Sequence, residues 1–131
     1  MEGTETNNTE VLGAKIVSPK YEIVKPWGEP EVAEHAAKFG GRRLLKEVTV
    51  TTDDDYQFVY LVKRPSRNVL KAIAEKKKGE NVDTNSIEKL MLGLVLEGDM
   101  ETVENDGAVY GELLKQIGGL VKSARSDIKK I

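Results

Sequence analysis

The stretch YQFVYLVKRPSRNVLKAIA, residues 56–74, contains the change of pattern that decides the fold. Its first eight residues, up to Lys63, are rich in aromatic and β-branched side chains, which predicts a β-strand. Apolar residues then recur at three- and four-residue spacing, which predicts a helix over about residues 67–76. Between the two, Pro65 disfavours helical geometry in the residue before it, so the strand ends and Ser66 can cap the new helix. This corner is therefore first of all a turn.

Three basic residues flank the turn without being needed to make it. They are Lys63, Arg64 and Arg67, and solubility is the simple explanation of their charge. The alternative is a binding corner for acidic groups of a partner, in which each exposed contact contributes about 0–1 kcal/mol. The sequence leaves both interpretations open.

Length and composition limit the classes of protein to which this chain can belong. The chain has 131 residues, 39% of them hydrophobic, which is enough for one core without metals or disulfides. We expect a disordered polar tail over residues 1–12 and a single domain over residues 13–131. The formal charge of −2 gives no overall attraction to nucleic acid or to anionic membranes. Since cysteine, a membrane-span pattern and a signal-peptide pattern are all absent from the sequence, we expect a cytoplasmic protein.

The rest of the sequence predicts an α+β fold. A short edge strand within residues 14–24 comes first, and a helix from Pro30 to the Gly40-Gly41 pair follows it. Residues 44–63 predict a β-hairpin, because two strand patterns flank three consecutive aspartates. Three helical patterns follow, over residues 67–76, 85–97 and 107–129. We expect the hairpin, or a small antiparallel sheet that contains it, to pack against this C-terminal three-helix unit.

Apolar periodicity also predicts which elements form the core. The second strand of the hairpin is apolar on both faces, so we expect it to be the more central one. In the first strand, Leu45 shares with Glu47 a face that we expect to be exposed. The helix over residues 85–97, capped by Asn85, has the clearest repeat and is expected to be the core helix. Its predicted core residues are Leu90, Met91 and Leu94.

No catalytic constellation can be assembled from this sequence. The only histidine, His35, lies in a helix of small residues, and no serine has a nucleophile-elbow pattern. We therefore expect a non-enzymatic protein without a cofactor. Asp53–Asp55 and the acidic loop over residues 99–106 lack the ligand spacing of a calcium site, so we expect no obligatory metal.

A small nucleic-acid-binding adaptor is one alternative function. The basic corner and the lysines at 76–78 would form a stripe beside the aromatic residues Tyr56, Phe58 and Tyr60 of the predicted strand. Aromatic side chains on a sheet can stack unpaired bases, and basic neighbours can bind the phosphates. The net charge and the lack of a recognisable RNA-binding motif count against this function.

Four short phrases, KRPSR, VLKAIA, LEGD and DIKKI, follow an aromatic-rich strand in this order. Together they resemble the small tail assembly chaperones of tailed bacteriophages and prophages, over residues 44–131. The resemblance implies a non-enzymatic protein of the bacterial host cytoplasm. It would bind the hydrophobic tape measure protein and keep it soluble while tail tube subunits polymerise, with the tail tube protein as a further partner. A structural component of a phage particle is the other alternative.

In this hypothesis the partner binds the basic corner and an apolar stripe of the last helix. The partner-binding residues are Lys63, Arg64, Arg67, Leu113, Leu114, Ile117 and Leu120. A chaperone needs exposed apolar surface, and the second strand and the last two helices have more apolar positions than one core face requires. Self-association into a homo-oligomer would hide that surface between uses.

Overall fold

The computed structural model describes residues 20–122, 124 and 126–131. The elements are, in chain order, β1 (Glu22–Val24), α1 (Glu29–Phe39), a 3-10 turn (Arg42–Leu44), β2 (Leu45–Thr51), β3 (Tyr56–Lys63), α2 (Arg67–Lys76), α3 (Thr84–Leu92), β4 (Val95–Glu97), α4 (Met100–Asn105) and α5 (Gly107–Val121). This confirms the α+β class. The tail predicted over residues 1–12 lies outside the described residues. Within them, no helix has the length and apolarity needed to cross a membrane.

β3 is the central strand of the sheet, as its two apolar faces predict. β2 pairs antiparallel with it along residues 57–63, so the predicted hairpin is confirmed. The other edge of β3 is shared by two short strands. β1 pairs parallel with residues 56–58, and β4 pairs antiparallel with residues 61–62. The sheet is therefore mixed rather than purely antiparallel.

Hydrogen bonds at the end of β3 show which backbone groups face which neighbour. The Arg64 N–H donates to the Leu44 carbonyl at 2.7 Å, on the β2 side. The Lys63 N–H donates to the Leu94 carbonyl at 2.8 Å, on the β4 side. Because these directions alternate along a strand, the odd-numbered residues of β3 direct their backbone groups toward β1 and β4. The Val59 carbonyl lies between these two short strands and needs a hydrogen-bond donor from elsewhere.

The indole of Trp27 fills this gap. Its Nε1–H donates to the Val59 carbonyl at 2.9 Å, and the side chain is only 8% exposed. Pro26 ends β1 just before it, because proline has no N–H with which to continue the ladder. The ring then packs in one cluster with Val32 of α1 and Leu61 of β3. The only tryptophan thus replaces a backbone partner and covers one face of the sheet.

Both faces of the sheet are covered by helical segments. On the first face the core consists of Val48, Val50, Phe58, Tyr60, Val62, Leu94, Val103, Val109, Leu113 and Ile117. On the second face it consists of Trp27, Val32, Leu45, Val59 and Leu61. The alternation of β3 accounts for this division, since its even-numbered residues face α4 and α5 and its odd-numbered residues face α1. The prediction of an exposed Leu45 is wrong because the segment containing α1 covers that face.

The helix predicted over residues 85–97 is shorter than expected. Asp83, not Asn85, caps it, since the Asp83 carboxylate accepts the Ser86 N–H at 3.1 Å. The helix ends at Leu92, and residues 95–97 form β4 because half of one edge of β3 is open to them. The acidic loop that follows contains the extra helix α4.

The core helix is α5, not α3. Val109, Leu113 and Ile117 of α5 have no exposed surface, whereas α3 has no fully buried residue. Leu90 and Met91 are half-buried because α3 lies at the side of the molecule, against α2 and α5. Leu94 is buried as predicted, but it follows the helix. The apolar repeat of α3 thus predicts correctly that these residues form a helix, but incorrectly that this helix is the core helix.

The last helix ends at Val121 rather than at residue 129. Apolar residues continue at helical spacing beyond it, but Ile128 is 99% exposed. A helix needs a surface for its apolar face, and the spacing of these residues alone does not supply one.

Tyr60 and Gly98 are in close contact where the chain passes from β4 to α4. Tyr60 is fully buried, and its hydroxyl donates to the Asp99 carbonyl at 2.8 Å. The backbone of Gly98 passes directly over the ring, so that a Cβ there would lie 2.1 Å from Tyr60 Cδ1. The φ of Gly98 is 139°, which side chains other than hydrogen disfavour. Glycine is therefore required at this position by both space and conformation.

Replacing Trp27 with phenylalanine should lower the free energy of unfolding by about 1–3 kcal/mol, because the Val59 carbonyl stays buried without its donor. Urea denaturation followed by far-UV circular dichroism measures the change. The matched control is Tyr56→Phe, which alters an exposed aromatic residue of β3 and should change stability by less than about 0.5 kcal/mol. Equal effects of the two substitutions would contradict the role of the indole.

Gly98→Ala should destabilise the protein by about 2–6 kcal/mol, since it combines backbone strain with a steric clash against Tyr60. Gly79→Ala is its control, because Gly79 also has a positive φ, of 81°, but faces open space. That variant should lose only the conformational part, about 1–3 kcal/mol. Thermal unfolding of both variants gives the comparison, and similar losses would rule out the clash.

Candidate functional site

The basic corner forms the predicted turn, and its three cationic side chains differ in environment. Ser66 caps α2 as predicted, its Oγ accepting the Val69 N–H at 3.3 Å. The Lys63 ammonium lies over the ring of Phe39, 5.2 Å from its centroid, which is a cation–π contact with α1. Arg67 is exposed at the start of α2. Lys63 is thus held against the domain, whereas Arg67 is accessible to a partner.

Arg64 is half-buried, and its Nε has no hydrogen-bond partner among the described residues. A buried guanidinium nitrogen without a partner is costly, because burial removes its water. An acidic partner group that reached this nitrogen would remove that cost. Of the three corner residues, Arg64 therefore has the most to gain from a partner.

The apolar stripe predicted on the last helix is divided between the core and the surface. Leu113 and Ile117 are completely buried in the first-face core, so a partner cannot reach them while the protein is folded. Leu114 and Leu120 are half-buried. Of the four stripe residues, only these two have exposed surface on α5, and Leu120 also packs against the first-face core.

A groove that the sequence did not predict lies between α2, α3 and the end of α5. Its volume is about 340 Å³, near the lower limit of the roughly 300–1,000 Å³ found for ligand sites. Its apolar lining comes from Ile73, Ile87, Met91 and Val121. These residues come from three separate helices, so no local spacing in the sequence brings them together.

Gly118 and Gly119 open the groove on the α5 side. A Cβ at Gly118 would lie 3.7 Å from Met91 Cε, which is ordinary contact, so any larger side chain would enter the groove. Two glycines within a helix cost about 1 kcal/mol each relative to alanine. In the structure Gly118 faces Met91 of α3 across the groove, whereas Gly119 faces open space.

The margin of the groove is positively charged. Lys77 and Lys122 line it and are both exposed, and no acidic residue is part of its lining in the described part of the chain. A second depression of about 330 Å³ on the same α2–α3 pair has a similar character, with Lys76 and Lys89 beside Leu90. The α2–α3 pair thus combines apolar surface with positive charge in two places.

Most of the aromatic residues expected to stack on bases belong to the hydrophobic core instead. Phe58 and Tyr60 are buried, and the ring of Tyr56 stacks on that of Phe58 with centroids 5.8 Å apart. Tyr56 alone is exposed, at 40%. The nucleic-acid hypothesis therefore loses the stacking surface on which it depended.

The candidate catalytic and metal-binding residues have structural contacts. His35 is half-buried, lies 2.8 Å from Glu97 through Nε2, and stacks on Phe39. In the loop over residues 99–106, Asp99 caps α4 and Asp106 caps α5 through their carboxylates. No cluster of three potential metal ligands occurs among the described residues. That the protein needs no metal and catalyses no reaction stays a prediction.

The same two aspartates affect the hydroxyl of Tyr60. Burial, together with the negative charges of Asp99 and Asp106, raises the pKa of Tyr60 to about 12. In the unfolded chain this hydroxyl has a pKa of about 10. Between these two values the folded protein keeps a proton that the unfolded chain has lost, so stability falls as the pH rises from about 10 to about 12.

Tyr60→Phe should make the free energy of unfolding less steeply dependent on pH between about 10 and about 12. The variant should also be less stable at neutral pH by about 1 kcal/mol, because the hydrogen bond to Asp99 is lost. Urea denaturation of both proteins across this pH range measures the two effects separately. Identical pH slopes for parent and variant would show that Tyr60 does not carry this dependence.

Comparisons with known proteins assign no family to this chain. It matches no family model, no curated protein and no solved structure. The geometry of the groove and the sequence resemblance are therefore the grounds on which a function can be proposed.

Proposed function

We propose that this protein is a phage tail assembly chaperone-like protein that binds an apolar helix of the tape measure protein. The groove between α2, α3 and α5 is the observation that carries this proposal. It is an apolar concave surface built from helices, which suits an amphipathic helix laid into a groove. The sequence resemblance over residues 44–131 supports the identity of the partner. The tail tube protein is a second partner within the same proposal.

The charge of the groove defines the kind of helix that fits it. Lys77 and Lys122 at its margin would pair with acidic residues that flank the apolar face of the partner. Such exposed pairs contribute about 0–1 kcal/mol each and mainly guide and orient the encounter. Burial of apolar side chains in the groove supplies most of the affinity, at about 1.5–3 kcal/mol for each large side chain. A site that combines an apolar lining with a charged margin accepts many different apolar helices, as a chaperone must.

The predicted partner-binding residues take different parts in this proposal. Leu113 and Ile117 hold α5 against the sheet from inside and make no contact with the partner. Leu114, Leu120 and Arg67 remain surface candidates, and Arg64 is half-buried, with an Nε that is itself buried. Lys63 keeps its contact with Phe39. In this proposal the partner surface is centred on the groove, and it also includes the exposed part of the basic corner at the start of α2.

Gly118→Leu should fill the groove and weaken partner binding at least about tenfold, because one large apolar contact is displaced. The assay uses a helical, aggregation-prone fragment of the tape measure protein encoded in the same genome. The fraction of this fragment that stays soluble is measured by sedimentation as the concentration of the chaperone is raised. Gly111→Leu is the matched control, since it places the same side chain on the same helix facing open space.

A charge-reversal pair separates the groove from general electrostatics. Lys77→Glu with Lys122→Glu should reduce the solubilising effect, whereas Lys71→Glu with Lys115→Glu, which makes the same change in net charge outside the groove, should leave it intact.

If Gly118→Leu solubilises the fragment as well as the parent, the groove is not the binding site. If the parent itself fails to keep the fragment soluble, or the genome encodes no tape measure protein, the proposed function is wrong.

A further inference from the structure

The outer edge of β2 presents a regular row of backbone hydrogen-bonding groups. The even-numbered residues of β2 direct their backbone N–H and C=O groups toward β3. The hydrogen bond from the Arg64 N–H to the Leu44 carbonyl shows this direction for the residue just before the strand. The odd-numbered residues therefore direct their N–H and C=O groups away from the sheet. These residues are Leu45, Glu47, Thr49 and Thr51. Apart from the Leu45 N–H, which donates to the Arg42 carbonyl, these groups have no partner among the described residues.

This edge is not short, bulged or interrupted by proline, three of the features by which proteins block strand addition, and its charged residues are Lys46 and Glu47. Exposed edges are commonly short, bulged or interrupted by proline. β1 and β4 fit that description, since each has three residues and Pro26 follows β1. β2 has seven residues, contains no proline and pairs with β3 without a register shift. Its side chains at Thr49 and Thr51 are exposed, so that face of the edge is open.

We propose that β2 pairs antiparallel with β2 of a second copy of this chain, which joins the two four-stranded sheets across a twofold axis. Outward-facing residues of both copies must lie opposite each other, so the axis passes beside a single residue of β2. Only an axis at Val48 places all four outward residues opposite one another, with Leu45 opposite Thr51 and Glu47 opposite Thr49, while the Leu45 N–H keeps its bond to the Arg42 carbonyl. An axis at Glu47 would place two carboxylates directly opposite each other, which is unfavourable. The register of the dimer is therefore defined by the sequence of β2.

The side chains of β2 are self-complementary in this register. Each Glu47 carboxylate meets the hydroxyl of Thr49 from the second copy and can accept its hydrogen bond. The two Val48 side chains face each other as a β-branched pair, which suits antiparallel strands. This interface uses neither the groove nor the basic corner. The inference therefore stands independently of the proposed function.

Single cysteines test the register directly, because the natural chain contains none. In the proposed dimer the two copies of residue 48 form a non-hydrogen-bonded pair with Cα atoms about 4.5 Å apart, which permits a disulfide. Val48→Cys should therefore give a disulfide-linked dimer under mild oxidation. Val50→Cys is the matched control, since the two copies of residue 50 are offset by four residues, about 13 Å along the strand. It should stay uncrosslinked.

Charge changes at Thr49 provide the second test, since this exposed residue faces Glu47 of the other copy. Thr49→Glu should weaken the dimer about two- to thirtyfold, because two like-charge pairs form, and Thr49→Lys should strengthen it by a similar factor. Sedimentation equilibrium measures the dissociation constant of each, with circular dichroism as the check of folding. A monomeric parent at its highest soluble concentration, a Val48→Cys variant that folds without crosslinking, or equal crosslinking of both cysteine variants would each overturn the proposal. So would equal effects of Thr49→Glu and Thr49→Lys.

Discussion

The residues of β3 from Phe58 to Val62 are buried on both faces of the sheet, so every hydrogen-bonding group of their backbone needs a partner, and the fold is arranged around that requirement. One edge is satisfied by β2 along residues 57–63. The other edge is satisfied in three pieces by β1, the Trp27 indole and β4. β1 and Trp27 precede β3 in the chain, and β4 follows it. The need to complete one strand therefore holds the N-terminal segment and the helical half in a single structure.

Local patterns predicted those parts of the fold that local physics decides. The hairpin, the turn at Pro65 and the cap at Ser66 follow from periodicity and from the geometry of proline, and the structure contains all three. The strand at residues 95–97 was not predicted, because its sequence continues the apolar repeat of α3. Only the open half-edge of β3 selects the extended conformation there. The position of Trp27 likewise depends on a carbonyl that lies 32 residues away in the chain.

The candidate site was less predictable than the fold, for a related reason. Leu113 and Ile117 lie on a stripe that suits a core and a partner surface equally well, and the sequence does not say which neighbour covers it. The structure shows that the sheet covers them. The groove arises where α2, α3 and α5 meet without filling the space between them. The sequence indicates it only through Gly118, which has no side chain to fill that space. Lys77 at its margin was visible in the lysine run over residues 76–78, but neither Lys77 nor Lys122 was visible as the margin of a concave surface.

The glycine pair near the end of α5 has a consequence for the motions of the protein. Gly118 and Gly119 weaken the final turns of this helix relative to alanine, and the helix stops two residues after them. We therefore expect those turns to open at a smaller free-energy cost than the part of α5 around Leu113 and Ile117, which is buried against the sheet. A ligand that settles in the groove would order the same turns that it contacts. Hydrogen exchange at the C-terminal end of α5 would then slow on binding, while the sheet keeps the exchange rates of the free protein.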